Sequence, residues 1–351
     1  MISKETYSLE WIQAKKTKLG KKVDAKMLEK VIYALSLLEQ LKVNGLDLIF
    51  KGGTCLLLTS EKPLRFSIDI DIITEHNEKE ITDVLTKITS GDIFTKWEAD
   101  NDRKNAPIAP VLHYKLYYKS KIDQSFGEEP ILLDILLSPS PYPIETEQPL
   151  THEWVAQTGE PVMVRIPVYE CILGDKLTAF APKTTGILYT KERPVEIIKQ
   201  LHDIGYLFDQ SNDISLVRKS YMQVVKEEIG YRKLELSHVE VLQDTFDACI
   251  ILALRDEKNQ EYLHLQKGIN NITNFIINRF KIEEAISAAG KVAYLCALLE
   301  QEKDHEPERF KSPDQIKVSN ITHVDYKWLN KQKKSNPEAF FYWEKAIALK
   351  S

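Results

Sequence analysis

Cysteine is scarce in this sequence. Its 351 residues include four cysteines, which are widely spaced and lie in apolar surroundings. No Cys-x-x-Cys pair and no Cys/His spacing typical of a zinc site occurs, so a structural zinc is not expected. We therefore expect buried free thiols in a reducing cytoplasm.

Long apolar runs and a strong charge of one sign are also missing. No run of about 18 apolar residues occurs, which argues against a membrane span. The first eight residues lack the apolar core of a signal peptide. The net charge of −5 does not favour a general nucleic-acid coat, although local basic patches could still contact RNA. A chain of 351 residues predicts about two domains.

The most informative stretch begins where a predicted strand at 46–50 runs into Lys51-Gly52-Gly53-Thr54. A short helix is predicted directly after it, at 55–58. Glycines let backbone N–H groups approach a phosphate closely, and a helix N-terminus favours an anion. The turn is therefore a candidate phosphate-binding site.

Downstream, the stretch 68–72 alternates isoleucine with aspartate. On a strand this alternation buries the isoleucines on one face and places Asp69 and Asp71 on the other, about 6.5–7 Å apart at Cα. Two carboxylates this close raise each other's pKa unless a cation neutralises them. A divalent metal with oxygen ligands is the simplest such cation.

Three further residues stand out because a charge lies in an apolar pattern. Asp134 interrupts the apolar strand 130–137 and is either a third carboxylate of the site or a salt-bridged structural residue. Lys176 lies on the apolar face of a predicted helix at 169–181. It needs an anionic partner there, either a triphosphate or an acidic side chain, unless it extends to solvent. Asp203 is explicable as a surface ion pair with Lys199 at i+4.

The order of elements predicts an α/β (α+β) fold, with a mixed sheet flanked by helices and a C-terminal helical bundle. We place the domains at 1–167 and 168–351. Strands are predicted at 93–98, 110–119 and 161–166, with a loop at 138–150. Helices are predicted at 8–18, 25–42, 77–90, 194–208, 213–229, 238–256, 260–280 and 282–303. The tail carries Phe340-Phe341-Tyr342-Trp343, which we expect to be packing residues, and lysines beside Tyr326 and Trp328 that could line a nucleic-acid groove.

Four motifs together resemble the AbiEii family, the nucleotidyltransferase-like toxins of type IV toxin–antitoxin and phage-defence systems. They are Lys51-Gly52-Gly53-Thr54, Arg65-Phe66-Ser67-Ile68-Asp69-Ile70-Asp71, Leu173-Gly174-Asp175-Lys176-Leu177 and Lys199-Gln200-Leu201-His202-Asp203-Ile204. The family belongs to the DNA polymerase β-like nucleotidyltransferase superfamily, whose hallmark is Gly-Gly-(Ser/Thr) followed by Asp-x-Asp. Fourteen residues separate Thr54 from Asp69, a longer gap than in polymerase-like members.

The resemblance implies roles for named residues. Nucleotide binding is implied for Lys51, Gly52, Gly53, Thr54, Arg65, Ser67 and Lys176. Catalysis is implied for Asp69, Asp71, Asp134, Lys176 and Asp203, and Asp69, Asp71 and Asp134 would bind Mg²⁺ or Mn²⁺. We expect Lys176 and Asp203 to lie within reach of Asp69 and Asp71, with residues 168–351 completing the cleft.

The implied reaction is transfer of a nucleoside monophosphate from an NTP to an acceptor hydroxyl. The resemblance points to RNA as the acceptor, with the 3′ end of tRNA foremost, and to a winged-helix antitoxin as a partner. Two alternatives remain open. The acceptor could be a small molecule, as in antibiotic-modifying enzymes, or the chain could be a non-catalytic nucleotide-binding module of the same fold.

Overall fold

The computed structural model describes residues 1–20, 23–60, 64–100, 109–123, 127–301 and 306–350. The chain divides into two compact units. The first contains Met1–Ser140, Ile144–Pro167 and Asn274–Asn278, and the second contains Pro141–Pro143, Val168–Thr273 and Arg279–Ser351.

The first unit is built on a mixed sheet, in which seven strands are found among the described residues. The strands are β1 (Ile49–Lys51), β2 (Ile70–Thr74), β3 (Lys96–Ala99), β4 (Val111–Lys119), β5 (Glu128–Leu137), β6 (Glu145–Pro149) and β7 (Met163–Pro167). Their order across the sheet is β3-β4-β5-β2-β1-β7-β6. β2 pairs parallel to β5, and β1 pairs parallel to β7. The other neighbours are antiparallel.

Helices α1 (Leu9–Leu19), α2 (Ala25–Val43), α3 (Leu56–Thr59) and α4 (Glu78–Thr89) accompany the sheet, after a 3₁₀ turn at Lys4–Tyr7. Asp24 caps α2 by accepting a hydrogen bond from the N–H of Lys26. The apolar face of α2 packs on β2 and β5, and its leucines at 28, 35 and 38 are fully buried. The core of this unit therefore lies between α2 and the centre of the sheet.

The second unit is helical. It contains α5 (Tyr169–Ala179), α6 (Pro194–Gln210), α7 (Ile214–Arg232), α8 (His238–Leu254), α9 (Gln260–Asn271), α10 (Ile282–Glu300), α11 (Gln332–Ser335) and α12 (Pro337–Lys350), with 3₁₀ turns at Tyr189–Lys191, Ile272–Asn274, Pro313–Ile316 and Val324–Lys331. Helix α10 packs against α6, α8 and α12 and forms the centre of the bundle. The four aromatic residues at 340–343 are buried, which confirms that they are packing residues.

Two predicted elements differ from the structure in kind or in length. The loop expected at 138–150 contains the strand β6, and the helix expected at 260–280 ends at Asn271 with a 3₁₀ turn after it. The following segment pairs with the chain around Arg65, since Arg65 and Ile276 form an antiparallel bridge. The N–H of Phe66 donates to the carbonyl of Phe275 at 2.6 Å. Helical spacing could not predict this change, because backbone groups of residues 275–278 form hydrogen bonds with residues 64–66 instead of within a helix.

All four cysteines are free and buried, as expected. None of the helices in the described part of the chain combines the length and the apolar character that crossing a bilayer requires.

Candidate active site

A row of polar side chains crosses the middle of the sheet. Lys51 on β1 is opposite Asp71 on β2. Asp71 is beside Asp134 on β5, and Asp134 is opposite His113 on β4. Residues directly opposite each other on neighbouring strands project from the same face, and neighbouring strands are about 4.8 Å apart. Four charged or titratable side chains therefore line up across four strands, and we call them the polar row.

Asp71 is held on this face by its neighbours in β2. Ile70 and Ile72 are buried on the opposite face, as the alternation predicts, and Asp71 is half-buried between them. The predicted strand is shifted, because β2 begins at Ile70 and continues to Thr74. Asp69 consequently lies just before the strand rather than within it, and Ile68 is half-buried rather than buried.

The glycine turn packs tightly against the polar row. Gly52 has a φ of +76°, and a Cβ at this position would overlap the Asp71 carboxylate, with the Asp71 Cγ only 2.8 Å away. A Cβ on Gly53 would lie 3.1 Å from both the Arg65 Cζ and the Ser67 Oγ. A side chain at Gly52 would require the Asp71 carboxylate to move, and one at Gly53 would require the Arg65 guanidinium to move.

Thr54 connects the turn to the segment that carries Asp69. Its hydroxyl donates to the main-chain carbonyl of Asp69 at 2.5 Å and lies 2.8 Å from the Ser67 hydroxyl. Both Thr54 and Arg65 are buried, and the Arg65 guanidinium donates to the carbonyl of Phe66 at 3.2 Å. The structure thus brings six predicted nucleotide-binding residues, from Lys51 to Ser67, into one part of the first unit. Helix α3 has only four residues, so its dipole contributes little to anion binding.

His113 is the member of the polar row that the sequence did not single out. Its Nδ1 lies 2.8 Å from Oδ1 of Asp134, and the side chains of the two residues are 7% and 17% exposed. A carboxylate can only accept, so the imidazole donates from Nδ1 and fixes one Asp134 oxygen. The register of β4 against β5 is the only signal for this pair, and register cannot be read from either strand alone.

Carboxylates in and next to the polar row suit a hard divalent cation. Mg²⁺ and Mn²⁺ prefer carboxylate oxygens, which Asp69, Asp71 and Asp134 supply. Among the residues that the structure describes, no group of three or more His, Cys, Asp or Glu side chains is arranged to hold a metal ion. The assignment of a metal ion to Asp69, Asp71 and Asp134 therefore stays a prediction.

Lys176 and Asp203 form a buried ion pair in the second unit. The Lys176 Nζ lies 3.0 Å from Oδ2 of Asp203, with the two side chains 8% and 0% exposed. The Lys176 Nζ also donates to Oε1 of Gln200 at 2.9 Å. The partner of Lys176 in the structure is therefore an acidic side chain. The alternative, a lysine that extends to solvent, is wrong.

The expected surface position of Asp203 is also wrong, because Asp203 is completely buried. Lys199 lies 2.8 Å from Glu196, its i−3 neighbour on α6. That Lys176 and Asp203 join the carboxylates of the first unit stays a prediction.

A mixed sheet with a Gly-Gly-Thr turn packed against an Asp-x-Asp segment is the arrangement of a nucleotidyltransferase. Residues 36–274 match the family described as "Nucleotidyl transferase AbiEii toxin, Type IV TA system". This match covers more than half of the chain, and the chain belongs to the AbiEii family. Family membership places it among the toxins of toxin–antitoxin systems, which implies an antitoxin partner.

Two solved structures are similar to the chain in part. A protein from H. pylori described as a candidate nucleotidyltransferase is 17% identical, with a TM-score of 0.43 and coverage of 79% of this chain and 97% of that one. The protein JHP933 from Helicobacter pylori is 16% identical, with a TM-score of 0.42 and coverage of 79% and 93%. None of the curated proteins matches the chain.

Proposed function

We propose that the chain transfers a nucleoside monophosphate from an NTP to an acceptor hydroxyl of RNA and releases pyrophosphate, with the 3′ end of tRNA as the foremost acceptor. The polar row beside the Gly52-Gly53 turn is the observation that carries this proposal. It provides cations, N–H groups and carboxylates within one face of a rigid sheet, which is what positioning a triphosphate requires.

The turn and its two neighbouring cations bind the triphosphate in this proposal. The Arg65 guanidinium lies against Gly53, and Lys51 ends the strand that leads into the turn. Guanidinium and ammonium groups bind phosphate oxygens strongly, and glycine leaves the N–H groups accessible. Thr54 and Ser67 hold the turn in place rather than bind substrate. The Thr54 hydroxyl contacts both the Asp69 carbonyl and the Ser67 hydroxyl.

Asp69, Asp71 and Asp134 would hold Mg²⁺ or Mn²⁺ together with phosphate oxygens of the NTP. The ion supplies charge neutralisation at the triphosphate when bound. Asp71 lies against Gly52, so one residue contacts both the turn and the metal position. The carboxylates and the phosphate-binding turn are therefore held in one fixed arrangement.

Asp134 is the proposed acceptor of the proton from the attacking hydroxyl. The His113 imidazole lies 2.8 Å from Oδ1 of Asp134, which fixes the orientation of this carboxylate. A proton acceptor works best when its orientation is fixed before the reaction, and the buried imidazole provides that restraint. We also propose that Lys176 and Asp203 are required for activity, as the family resemblance implies.

Labelled transfer separates this proposal from its two alternatives. The protein is incubated with each α-labelled NTP, Mg²⁺ and total RNA, and we expect label in the tRNA fraction. Label on a small molecule would support the antibiotic-type reaction, and NTP binding without transfer would support the non-catalytic module. Asp71→Asn should abolish transfer. Asp83→Asn, which changes an exposed aspartate paired with Lys79 on α4, is the matched control and should not.

A further inference from the structure

We propose that residues 316–335 of the second unit form an RNA-binding surface that contacts the sugar–phosphate backbone of the acceptor. The inference rests on the proposed function, because it names the part of the chain that binds the RNA. The residues that carry it are Lys327, Lys331 and Lys334, together with Tyr326 and Trp328. We call them the basic surface.

The charge of the basic surface is opposite to that of the whole chain. Residues 313–335 contain five lysines and two aspartates, a net charge of +3, whereas the whole chain carries −5. Lys327, Lys331 and Lys334 are exposed. Among the described residues, no carboxylate lies within ion-pair distance of these three. Lys291 of the same unit, by contrast, lies 2.6 Å from Asp209 and 3.0 Å from Glu338.

The basic surface is built on a fixed backbone. The Asn330 side chain exchanges two hydrogen bonds with the backbone of Ile321, at 2.9 and 3.0 Å. The Lys333 Nζ donates to the carbonyls of Lys317 and Ser319 at 2.9 and 2.8 Å. Leu329 and Ile321 are buried beneath it. Lys333 is thus a structural residue, and the other lysines project from an ordered segment rather than from a flexible tail.

Aromatic and apolar groups lie among these lysines. The Trp328 indole N–H donates to the carbonyl of Asp325 at 3.0 Å, so its polar atom is satisfied while the half-exposed ring remains available for stacking. Side chains at i and i+3 of a 3₁₀ helix lie on the same side, which places Trp328 beside Lys331. Val318 and Val324 are 97% and 75% exposed. Aromatic rings among lysines are typical of surfaces that bind unpaired nucleotides.

A protein partner fits this surface less well than RNA does. Lysine is depleted at protein–protein interfaces, whereas phosphate contacts are made chiefly by lysine and arginine. The basic surface also lies outside residues 36–274, the range that matches the family. Acceptor binding can therefore be changed here without altering the proposed catalytic residues.

The test compares two triple variants with the same change in net charge. The first is Lys327→Glu/Lys331→Glu/Lys334→Glu. The control is Lys219→Glu/Lys226→Glu/Lys233→Glu, which changes three exposed lysines at α7 and its C-terminal end in the same unit. The Kd for bulk tRNA is measured by fluorescence anisotropy over a series of salt concentrations. Thermal melting verifies that both variants are folded.

We expect the first variant to bind tRNA about 10-fold or more weakly at low salt, and the slope of log K against log [salt] to fall in magnitude by about 2 to 3. The control should stay within about 2-fold, because its lysines do not contact the RNA. If both variants bound tRNA more weakly to the same extent, the change in net charge alone would explain the effect, and the proposal would be overturned. Loss of antitoxin binding with tRNA binding intact would overturn it in favour of a protein surface.

The same experiment keeps this proposal separate from the proposed function. If wild-type protein binds tRNA through the basic surface but transfers no nucleotide, the proposed function fails and the surface stands. If it transfers nucleotide while both triple variants bind tRNA equally well, the surface fails and the function stands.

Discussion

Gly52 provides the sharpest test of the candidate site. In Gly52→Ala, the new methyl group enters the space of the Asp71 carboxylate, since a Cβ would lie 2.9 Å from the Asp71 Cβ and 2.8 Å from its Cγ. The backbone cannot relieve the overlap easily, because β2 is fixed between β1 and β5. We expect the Asp71 carboxylate to move by about 1 Å, which reduces transfer by about 100-fold.

Gly45→Ala is the matched control. Gly45 has a φ of +91°, so both variants force an alanine into the left-handed region. Each should lose about 1–2 kcal/mol of unfolding free energy from that backbone strain alone. Nothing lies within 4 Å of a Cβ on Gly45, so transfer by this variant should be nearly unchanged. The clash makes Gly52→Ala the less stable of the two.

Two measurements on the same preparations decide the outcome. Urea denaturation gives the unfolding free energy, and labelled transfer gives the rate at saturating NTP. Transfer by Gly52→Ala close to the wild-type rate would refute the placement of Asp71 in the site. Equal losses of transfer in both variants would show that the effect comes from backbone strain rather than from the clash with Asp71.

Three further predictions follow from buried groups. In His113→Asn the amide nitrogen can replace Nδ1, so Mn²⁺ affinity and transfer should stay close to wild type. His113→Gln should lower both by about 10- to 100-fold, because Asp134 loses the hydrogen bond that fixes its orientation. Asp203→Asn removes the carboxylate that lies beside the buried Lys176 charge. The unfolding free energy measured in urea should fall by about 3–5 kcal/mol. The double variant Lys176→Met/Asp203→Leu should recover most of this loss. Burial, with a smaller contribution from Lys15, lowers the pKa of His152 to about 4. The unfolded chain therefore takes up the proton first as the pH falls, and stability should drop by about 2 kcal/mol from pH 7 to pH 5.

Each of these predictions has its own control. His76→Gln changes a half-exposed histidine that contacts Glu80 at 3.1 Å and should leave Mn²⁺ affinity unchanged. Equal effects at His76 and His113 would contradict the positioning role. Lys79→Met breaks an exposed ion pair with Asp83 and should barely change the unfolding free energy. If Lys79→Met lost as much unfolding free energy as Asp203→Asn, burial of the ion pair would not explain the loss. His152→Gln should remove its share of the pH dependence of stability, and an unchanged pH profile would show that other groups carry it.

Local patterns in the sequence predicted the parts of the site that a single segment defines. The alternation at 68–72 predicted the face on which Asp71 lies, and the charge within 130–137 singled out Asp134, because strand period is a local property. The boundaries shifted, since β2 starts at Ile70. Hydrogen bonding to β1 and β5 decides where a strand begins, and those partners come from elsewhere in the chain.

Long-range pairing accounts for what the sequence did not predict. His113 becomes a neighbour of Asp134 only through the register of β4 against β5. Asp203 has a lysine at i−4 on its own helix, yet it is buried against Lys176 of α5. The strand β6 contains Glu145, Glu147 and Pro149 and lies at the edge of the sheet. Polar residues and proline are common at edges, so β6 lacks the apolar pattern that identifies inner strands.

The polar row also has a consequence for the timing of activity during synthesis. Its four residues come from strands that are made at different times, and Lys51 and Asp71 leave the ribosome well before Asp134. Because β5 separates β2 from β4 in the sheet, His113 has no place beside the site until β5 has been made. A nascent chain that ends before β5 therefore carries the phosphate-binding turn without a complete row. Synthesis must therefore pass residue 134, more than a third of the 351-residue chain, before all four members of the row exist.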